Sequence, residues 1–391
     1  MPKTLLISAM LDGHFPLLRH AFRSKRLDPV VVLDSREGAA ELGLRYAHND
    51  MCYPFILSLG QFIAALESGA YDPANTAVLM PTAGDACRGS NFPSLLRKGL
   101  TRAGWPEVEV LTLNVKGLER AAALNITPVM IWKALFAVIY GDGLLYLVHQ
   151  TRPYEKVPGQ TEACRNWWVK RLSYDLEQGR DLTLNKMKWN LRTMAADFAS
   201  IPRTGSKKQK IALVGEVYTK YCAMGNWDVI DFLEQEGCEV AVNGFAWYMS
   251  YYFDNQLAGG GPLSPLWKGA GALLALGQRL LCEALKENGF TALPPFPAFK
   301  KNAAPYINFD LRVADGWLTG AEIVNHLHAG CRKVLAIQPF GCLPGHVCGR
   351  GQYAALMRRL GKGQLVTADT DASGARALFY DRVKLLTDID D

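Results

Sequence analysis

The part of the sequence most suggestive of chemistry runs from Val334 to Gly351 and reads VLAIQPFGCLPGHVCGRG. Its first residues are apolar, as in a strand buried on both faces, and prolines and glycines then break the chain. Cys342, His346 and Cys348 lie within this broken segment. Thiolates bind soft metals and iron–sulfur clusters, and imidazole can bind a metal or carry a proton. The stretch therefore predicts a metal or redox site in a rigid loop.

Two other cysteines share the predicted setting of Cys342. Cys52, Cys87 and Cys342 are each predicted to lie in a loop at a strand end, leading to a helix N-terminus or a glycine-rich turn. Unpaired backbone N–H groups and the helix dipole there stabilise a thiolate, and the same donors suit the sulfurs of an iron–sulfur cluster. No C-x-x-C pair is present, so the spacing does not indicate a structural zinc site. For any one of these cysteines, a buried structural thiol is the alternative.

The remaining cysteines divide into two groups. Cys222 and Cys348 lie in loops predicted to follow strands, and for both a metal ligand and a buried thiol stay open. Cys331 comes just before a strand, at its amino end, and is predicted to pack in the core. Three more lie in helical or strand contexts and are also predicted core residues: Cys164, Cys238 and Cys282.

Acidic residues and one histidine follow the same strands. Glu216 comes after the strand IALVG, and Asp369 and Asp371 come after LVTA. Each could hydrogen-bond donors near the site or cap the next helix, and capping is the prediction for Asp371 and Ser373. His346, four residues after Cys342, is either a proton relay and hydrogen-bond donor at the site or a solvated side chain. Glu216 and His346 are the candidate catalytic residues.

The elements that must position these residues read as two α/β units separated by helices. Residues 1–126 alternate apolar strands with helical segments, which predicts a parallel sheet with helices on both faces. Residues 127–205 carry helical periodicity and end in a linker, IPRTGSKKQK. Residues 206–391 restart the alternation and include a helical insertion at about 259–305, whose segment LPPFPAFKKNAAPY is predicted to lack regular structure. The predicted first-domain strands are KTLLISAM, PVVVLD, TAVLMP and VEVLTLN.

Composition limits the classes of protein to which this chain can belong. The chain has 391 residues, 49% hydrophobic and 20% charged, as in a soluble globular protein, and its net charge of +6 is scattered, so nucleic acid is not implied. No apolar run long enough to span a membrane is expected, the longest candidate being GALLALGQRLL. The N-terminus reads as a first strand and not as a signal peptide, so nine cysteines indicate a reducing, cytoplasmic location. No nucleotide-binding glycine loop is present.

Several sequence words resemble the 2-hydroxyacyl-CoA dehydratase superfamily, and the closer likeness is to its branch of single-chain, activase-associated proteins. They occur in the family's order from about His48 to Leu386, which is nearly the whole chain. The words are NDMCYP, GDACRGSNF, YGDGLLYLVHQTRPYE, GEVYTKY, DGWLTGAEI, QPFGCLPGHV and DTDASGARALFYDRVKLL.

This resemblance implies an α/β fold of two Rossmann-like parallel-sheet domains with a helical middle layer and a 4Fe-4S cluster in the cleft between domains. By motif, its ligands are Cys52 in CYP, Cys87 in CRGSN and Cys342 in PFGC, which leaves one iron for water, substrate sulfur or a bridging sulfide. These are the same three cysteines that loop position selects. A homodimer or pairing with a homologous subunit is implied as well.

The resemblance also implies a reaction and a partner. Such dehydratases take a low-potential electron from an ATP-hydrolysing activator and deliver it to an acyl-CoA thioester, so that an unreactive β-hydroxyl can leave. A related branch carries a double-cubane 8Fe-9S cluster that needs six cysteines, and Cys222, Cys331 and Cys348 would complete that number. A non-catalytic, cluster-bearing accessory protein is the third alternative. We expect the activator to be a separate protein, because the first strand is predicted to begin at about residue 3.

Overall fold

Two four-stranded parallel sheets carry the fold. The computed structural model describes residues 2–33, 38–82, 87–113 and 127–388. The strands of the first sheet are β1 (Lys3–Ser8), β2 (Leu27–Val32), β3 (Thr76–Pro81) and β4 (Glu109–Leu113). Those of the second are β5 (Gln209–Gly215), β6 (Cys238–Val242), β7 (Lys333–Pro339) and β8 (Gln364–Thr370).

Both sheets have the same strand order. The first runs β2-β1-β3-β4 and the second β6-β5-β7-β8, so each places its first strand beside its third, and every pairing is parallel. This is the order of doubly wound, Rossmann-like sheets, whose ligands bind outside the carboxyl ends of the strands where the order reverses. The predicted fold class, two parallel-sheet α/β domains, is confirmed.

The helices form two sets around the sheets and one layer between them. Around the first sheet lie α1 (Phe15–Phe22), α2 (Ala39–Tyr46), α3 (Tyr53–Glu67) and α4 (Phe92–Arg102). The middle layer contains α5 (Pro128–Thr151), α6 (Gln160–Gln178) and α7 (Leu184–Ala199). The second domain adds α8 (Val217–Tyr221), α9 (Val229–Gln235), α10 (Phe245–Ala258), α11 (Ser264–Glu287), α12 (Phe296–Ala303), α13 (Leu318–His328), α14 (Gly351–Leu360) and α15 (Arg376–Thr387).

The helical middle layer joins the two domains through α5. This helix packs against α1 of the first domain, against α7, and against α11 and β6 of the second domain. Buried side chains of both sheets and of these helices form one continuous core. The predicted boundary at residue 126 lies outside the described residues, whereas a loop before β5 takes the place of the predicted linker.

One helix contradicts the expectation that no apolar run is long enough to cross a membrane. The segment Pro128–Tyr154, which contains α5, is long and apolar enough by length and composition, and the expectation overlooked it. Most of its apolar window, 72%, is buried inside the protein, and its central Asp142 is fully buried. We therefore interpret α5 as the core helix of a globular protein.

Asp142 connects three parts of the fold. Its carboxylate pairs with the imidazole of His14, at Nε2 to Oδ1 2.7 Å, just before α1. It also accepts hydrogen bonds from the backbone N–H groups of Phe245 and Ala246 at the start of α10, at 2.6 and 3.0 Å. The carboxylate thus caps a helix of the second domain while it holds the first domain. A Cβ on Gly244 would lie 2.5 Å from this carboxylate, so only glycine permits the approach.

The proline-rich segment after α11 is helical, contrary to prediction. It forms α12 (Phe296–Ala303), with Pro295 at the N-cap and Pro297 in the first turn. Proline is tolerated there because the first backbone N–H groups of a helix have no partner within it. The side chains of Phe296 and Phe299 are buried and form the inner face of the helix.

A pH dependence of stability follows from His326, which is buried in α13. Burial, with the charge of Lys220 adding to it, lowers the pKa of His326 to about 3, well below its value in an unfolded chain. The unfolded chain therefore binds a proton first as the pH falls. We expect the free energy of unfolding to fall by about 1 kcal/mol per pH unit from pH 6.5 towards pH 4 through this residue.

Urea unfolding of wild type and of His326→Gln at pH 7, 6, 5 and 4 measures this slope. The variant should show a shallower loss of stability in acid than wild type. His328→Gln, at an exposed position of the same helix, is the matched control. Parallel pH profiles for wild type and His326→Gln would contradict the assignment.

Candidate functional site

Cys87 and Cys342 occupy equivalent places in the two domains. Cys87 follows β3 and Cys342 follows β7, and each of these is the third strand of its sheet, beside the point where the strand order reverses. Loops at that point lie outside the carboxyl ends of the strands, where α/β sheets bind ligands. The sequence-based placement of both residues is confirmed. Residues 83–86, which lead into Cys87, are outside the described residues.

Cys52 is placed differently from the prediction. It lies between α2 and α3 and not after a strand, but it is the N-cap of α3, with Pro54 in the first turn as expected. The two helices approach closely because Gly60 lacks a side chain: a Cβ there would lie 1.8 Å from the carbonyl oxygen of Ala39. This contact fixes the turn that carries Cys52.

Arg88 contacts the loops of all three cysteines. It follows Cys87 directly, and its Nη1 donates to the carbonyl of Asp50 at 2.5 Å, two residues before Cys52. Its Nη2 donates to the carbonyl of Gly341 at 3.0 Å, one residue before Cys342. A guanidinium has donors in a fixed planar fork, so both bonds define where the loops lie relative to each other. The three cysteine loops therefore converge, with two from the first domain and one from the second.

The three thiols influence one another electrostatically. Burial raises the pKa of Cys52, the Glu216 carboxylate and the Cys87 sulfur raise it further, and the Arg88 guanidinium acts in the opposite direction. Burial also raises the pKa of Cys342, with Glu216 and Cys52 adding to the effect. Cys52 and Cys342 are only 9% and 6% exposed. Without a cation these thiols stay protonated near neutral pH, and a bound metal would supply the charge that a thiolate needs.

Backbone N–H groups act on two of the sulfurs. The amide of Gly89 donates to Sγ of Cys87 at 3.3 Å. The backbone N–H of Gly345 acts to lower the pKa of Cys342, and a Cβ on Gly345 would lie 3.3 Å from its sulfur. Such donors accompany the cysteine ligands of iron–sulfur clusters and tune their potential. The donor set thus fits cluster ligation as well as it fits a buried thiol.

Within the described ranges, no group of three or more His, Cys, Asp or Glu side chains is arranged to hold a single metal ion. In a mononuclear site the ligand atoms meet around one point, about 2.0–2.3 Å from a zinc ion. In a 4Fe-4S cluster the cysteines surround a larger inorganic core. The finding therefore concerns sites for a single metal ion and not the ligands of a larger cluster.

Glu216 lies beside the cysteines and caps α8. Its Oε2 accepts a hydrogen bond from the backbone N–H of Thr219 at 2.9 Å, so the capping alternative is confirmed. Burial raises the pKa of Glu216, whereas the hydrogen bonds from Thr219 and Tyr218 oppose that effect. Its charge also acts on Cys52 and Cys342, as described above. Glu216 is therefore both a helix cap and a titratable group at the site.

His346 lies in a π-helix that follows Cys342, spanning Pro344–Arg350. Its Nδ1 is 2.9 Å from the carbonyl oxygen of Cys342. Because a carbonyl only accepts, Nδ1 carries the hydrogen, and Nε2 is left 3.8 Å from the carboxylate of Asp369. π-helices occur frequently at functional sites. The sequence predicted a rigid loop there, whereas the structure has a helix.

Asp369 and Asp371 behave differently after β8. Asp369 accepts hydrogen bonds from Arg350 at 2.7 Å and Gln338 at 3.0 Å, which fastens the π-helix to β7 and β8. Asp371 accepts from Ser373 Oγ at 2.7 Å and closes a turn. The next helix, α15, has no side-chain cap, so the predicted capping by Asp371 and Ser373 is wrong.

The other candidate cysteines are buried. Cys222 is fully buried and its Sγ donates to the carbonyl of Ala9 at 3.0 Å, across the contact between domains. Cys348 is buried in the π-helix beside Trp317 and Tyr353, and burial together with the charge of Asp315 raises its pKa. The predicted core cysteines lie in or against the core, namely Cys164, Cys238, Cys282 and Cys331.

The sequence analysis missed three residues at the site. Arg88 is part of the word CRGSN, and Asp315 begins the word DGWLTGAEI, so the motifs contained a signal for both. Asp315 is buried, and its charge raises the pKa of Cys52 and Cys342. Tyr248 gave no such signal. Its raised pKa comes from burial and then from Asp315, with Cys87 also contributing, which places its hydroxyl near the same group.

No protein-family model matches this chain. No curated protein matches it either. The assignment of function thus rests on the geometry of the site and on the sequence resemblance.

Proposed function

We propose that this protein is an iron–sulfur protein similar to components of the 2-hydroxyacyl-CoA dehydratases. In this proposal Cys52, Cys87 and Cys342 hold a 4Fe-4S cluster in the cleft between the two domains. The protein receives low-potential electrons from a separate ATP-hydrolysing activator and uses them for reductive or radical chemistry on an acyl-CoA or a small molecule. A cytoplasmic location belongs to the same proposal, because the thiols must stay reduced.

The observation that carries the proposal is the convergence of the three cysteine loops on Arg88. The cysteines are far apart in the sequence, yet the guanidinium of Arg88 contacts backbone carbonyls close to Cys52 and Cys342. Arg88 itself directly follows Cys87 in the sequence. The same three cysteines were selected by motif, and Cys87 and Cys342 also lie after strands as their predicted loop position required. Burial of two of the thiols and the backbone donors at Cys87 and Cys342 agree with this role.

When bound, such a cluster supplies one-electron transfer at low potential to an electrophilic carbon centre. The chain's own residues set the conditions for that transfer. The positive charge of Arg88 stabilises additional negative charge at the site, the amide of Gly89 donates to the sulfur of Cys87, and the amide of Gly345 favours the thiolate of Cys342. Glu216 and Asp315 act in the opposite sense because their carboxylates repel negative charge.

Two residues are placed to handle protons. Glu216 has a raised pKa and lies beside Cys52 and Cys342, so it can hold a proton on its carboxyl group closer to neutral pH than an exposed glutamate. His346 carries a hydrogen on Nδ1, and its Nε2 can take up a second one beside Asp369. These are the groups that we propose for proton transfer to or from a leaving hydroxyl.

A single cubane is the arrangement that we favour over a double-cubane 8Fe-9S cluster. Cys222 already donates its thiol hydrogen to Ala9, and Cys348 lies among apolar side chains. A double-cubane reductase would need both to leave these contacts. An accessory protein that carries a cluster without catalysis is the remaining alternative, and it predicts no binding of acyl-CoA.

The surface next to Cys342 suits a partner protein. Phe340 is 63% exposed, Val347 is 61% exposed, and Leu343 is also exposed, so these three side chains form an apolar rim in the segment that carries Cys342. Exposed apolar patches mark interaction sites. We propose that the activator docks here, over the cleft, and that the protein is a homodimer or pairs with a homologous subunit.

Electron delivery by an activator tests this proposal. Purified protein is mixed anaerobically with a candidate activator ATPase and ATP, and the reduced cluster is followed by electron paramagnetic resonance. We expect reduction to require both ATP and the activator. Val347→Asp should slow reduction by at least about tenfold because a charge opposes burial of the apolar rim.

Leu266→Asp, at an exposed apolar position in the second-domain insertion, is the matched control and should leave the rate unchanged. A cluster that no ATP-dependent activator reduces would count against the proposed electron route. Equal rates for wild type and Val347→Asp would remove the proposed docking surface.

A further inference from the structure

The two domains are joined at several places, two of which differ in their exposure to water. At one of them, Asp12 accepts a hydrogen bond from the backbone N–H of Ala223 at 2.8 Å, and its own N–H donates to the carbonyl of Tyr221 at 3.2 Å. The thiol of Cys222 bonds to Ala9 in the same region. These contacts involve buried or half-buried groups. Together with the buried hydrogen bond from Trp227 Nε1 to the hydroxyl of Tyr53 at 2.9 Å, they form the less exposed part of the domain contact.

The other place is the bond from Arg88 to Gly341. Arg88 is exposed, and it belongs to the first domain while Gly341 belongs to the second. Gly341 has a φ of +68°, a conformation that favours glycine and that directs its carbonyl at the guanidinium. A Cβ at this position would lie 3.3 Å from Nη2 of Arg88. The backbone of Gly341 is thus shaped to receive this arginine.

We infer that Arg88 is a positioning residue that ties the loops of Cys52 and Cys342 to that of Cys87 across the domain contact, so that access to these thiols requires its bond to Gly341 to break. That bond joins two exposed residues, whereas the contacts around Asp12 involve buried or half-buried groups, so we expect the domain contact to open first at Arg88. The role of Arg88 at a cluster rests on the proposed function, whereas its tying of the loops does not.

Two properties of Arg88 can be separated by substitution. Its planar fork donates to Asp50 and Gly341 together, and its charge acts on the sulfur of Cys52. Arg88→Lys keeps the charge but not the fork, and Arg88→Gln loses the charge as well. Arg102→Gln, at an exposed arginine in the last turn of α4, is the matched control.

The first measurement uses metal-free, reduced protein and needs no cluster. Each folded variant is treated with iodoacetamide, and alkylation of Cys52 and Cys342 is followed by mass spectrometry of the peptides. We expect Arg88→Gln and Arg88→Lys to raise both rates about tenfold, the factor for losing one hydrogen bond from a charged donor. Arg102→Gln should match wild type. Alkylation rates equal to wild type in both Arg88 variants would overturn the inference. If only Arg88→Lys alkylates at the wild-type rate, the two-pronged bond of the guanidinium is not needed, and the bridging role is overturned.

The second measurement uses protein reconstituted anaerobically with iron and sulfide. Release of iron to a chelator should be at least about tenfold faster in both Arg88 variants than in wild type. The reduction potential should fall further in Arg88→Gln than in Arg88→Lys, because only glutamine removes the charge. If no variant binds iron but alkylation still changes, the tying of the loops by Arg88 stands and the proposed function fails. If iron release and alkylation are both unchanged, the inference itself fails.

Discussion

Replacing Asp142 with alanine is expected to destabilise the protein by about 3 to 5 kcal/mol. The carboxylate is fully buried, and it is the acceptor for His14 and for the first two backbone N–H groups of α10. Alanine leaves these donors buried without an acceptor, and each unsatisfied donor costs about 1 to 3 kcal/mol. The three elements that meet at Asp142 belong to the first domain, the middle layer and the second domain, so the loss affects their packing together.

Urea denaturation of wild type and Asp142→Ala measures the effect, and His14→Ala with the double variant completes a double-mutant cycle. The two single losses should not add, because they remove the same hydrogen bond. Asp381→Ala, at an exposed aspartate of α15, is the matched control and should change stability by less than about 0.5 kcal/mol. A loss below about 1 kcal/mol for Asp142→Ala would show that the carboxylate does not hold the domains together.

Replacing any one of Cys52, Cys87 and Cys342 with alanine is expected to remove most of the iron that the protein binds after anaerobic reconstitution. A cluster held by three protein ligands loses one of them in each variant. Loss of a residue that only hydrogen-bonds a ligand already lowers metal affinity about 10- to 100-fold, and loss of the ligand itself lowers the affinity further. Iron per chain and the electron paramagnetic resonance spectrum of the reduced protein are the measurements. The three variants should behave alike, because the ligands act as a unit.

Cys164→Ala supplies the control, since Cys164 is half-buried on α6 and packs against the core. It should bind as much iron as wild type. Cys222→Ala and Cys348→Ala should also retain their iron if one cubane is present, whereas both would lose iron in a double-cubane protein. Full iron binding by Cys52→Ala, Cys87→Ala or Cys342→Ala would exclude that residue as a ligand.

The strands and most helices could be predicted from the sequence because local patterns determine them. Short apolar runs gave the strands, and the order of strands and helices indicated parallel sheets. The error at Pro295 and Pro297 arose from treating every proline as a helix breaker, although the first turn accepts it. The membrane-length helix α5 was overlooked because Asp142 and the glycines on either side of it interrupt the run of apolar residues in the sequence. They do not interrupt the helix.

The candidate site was only partly predictable, for a different physical reason. Loop position and motif selected Cys52, Cys87 and Cys342, but a sequence pattern does not show which distant residues meet. The partner of Asp142 lies 128 residues away at His14, and that of Arg88 lies 253 residues away at Gly341. Such contacts depend on how the two sheets face each other, so they emerged only from the structure. The signals in the sequence were the charged residues Asp142 and Arg88, each of which lies within one of the sequence words.

Counting iron and acid-labile sulfide in anaerobically reconstituted wild-type protein tests the central claim most directly. We predict about four iron and about four sulfide per chain, with the electron paramagnetic resonance signal of a reduced 4Fe-4S cluster. About eight iron per chain would indicate the double-cubane alternative instead. Less than about one iron per chain, from protein that is folded and reduced, would contradict the claim that these three thiols hold a cluster.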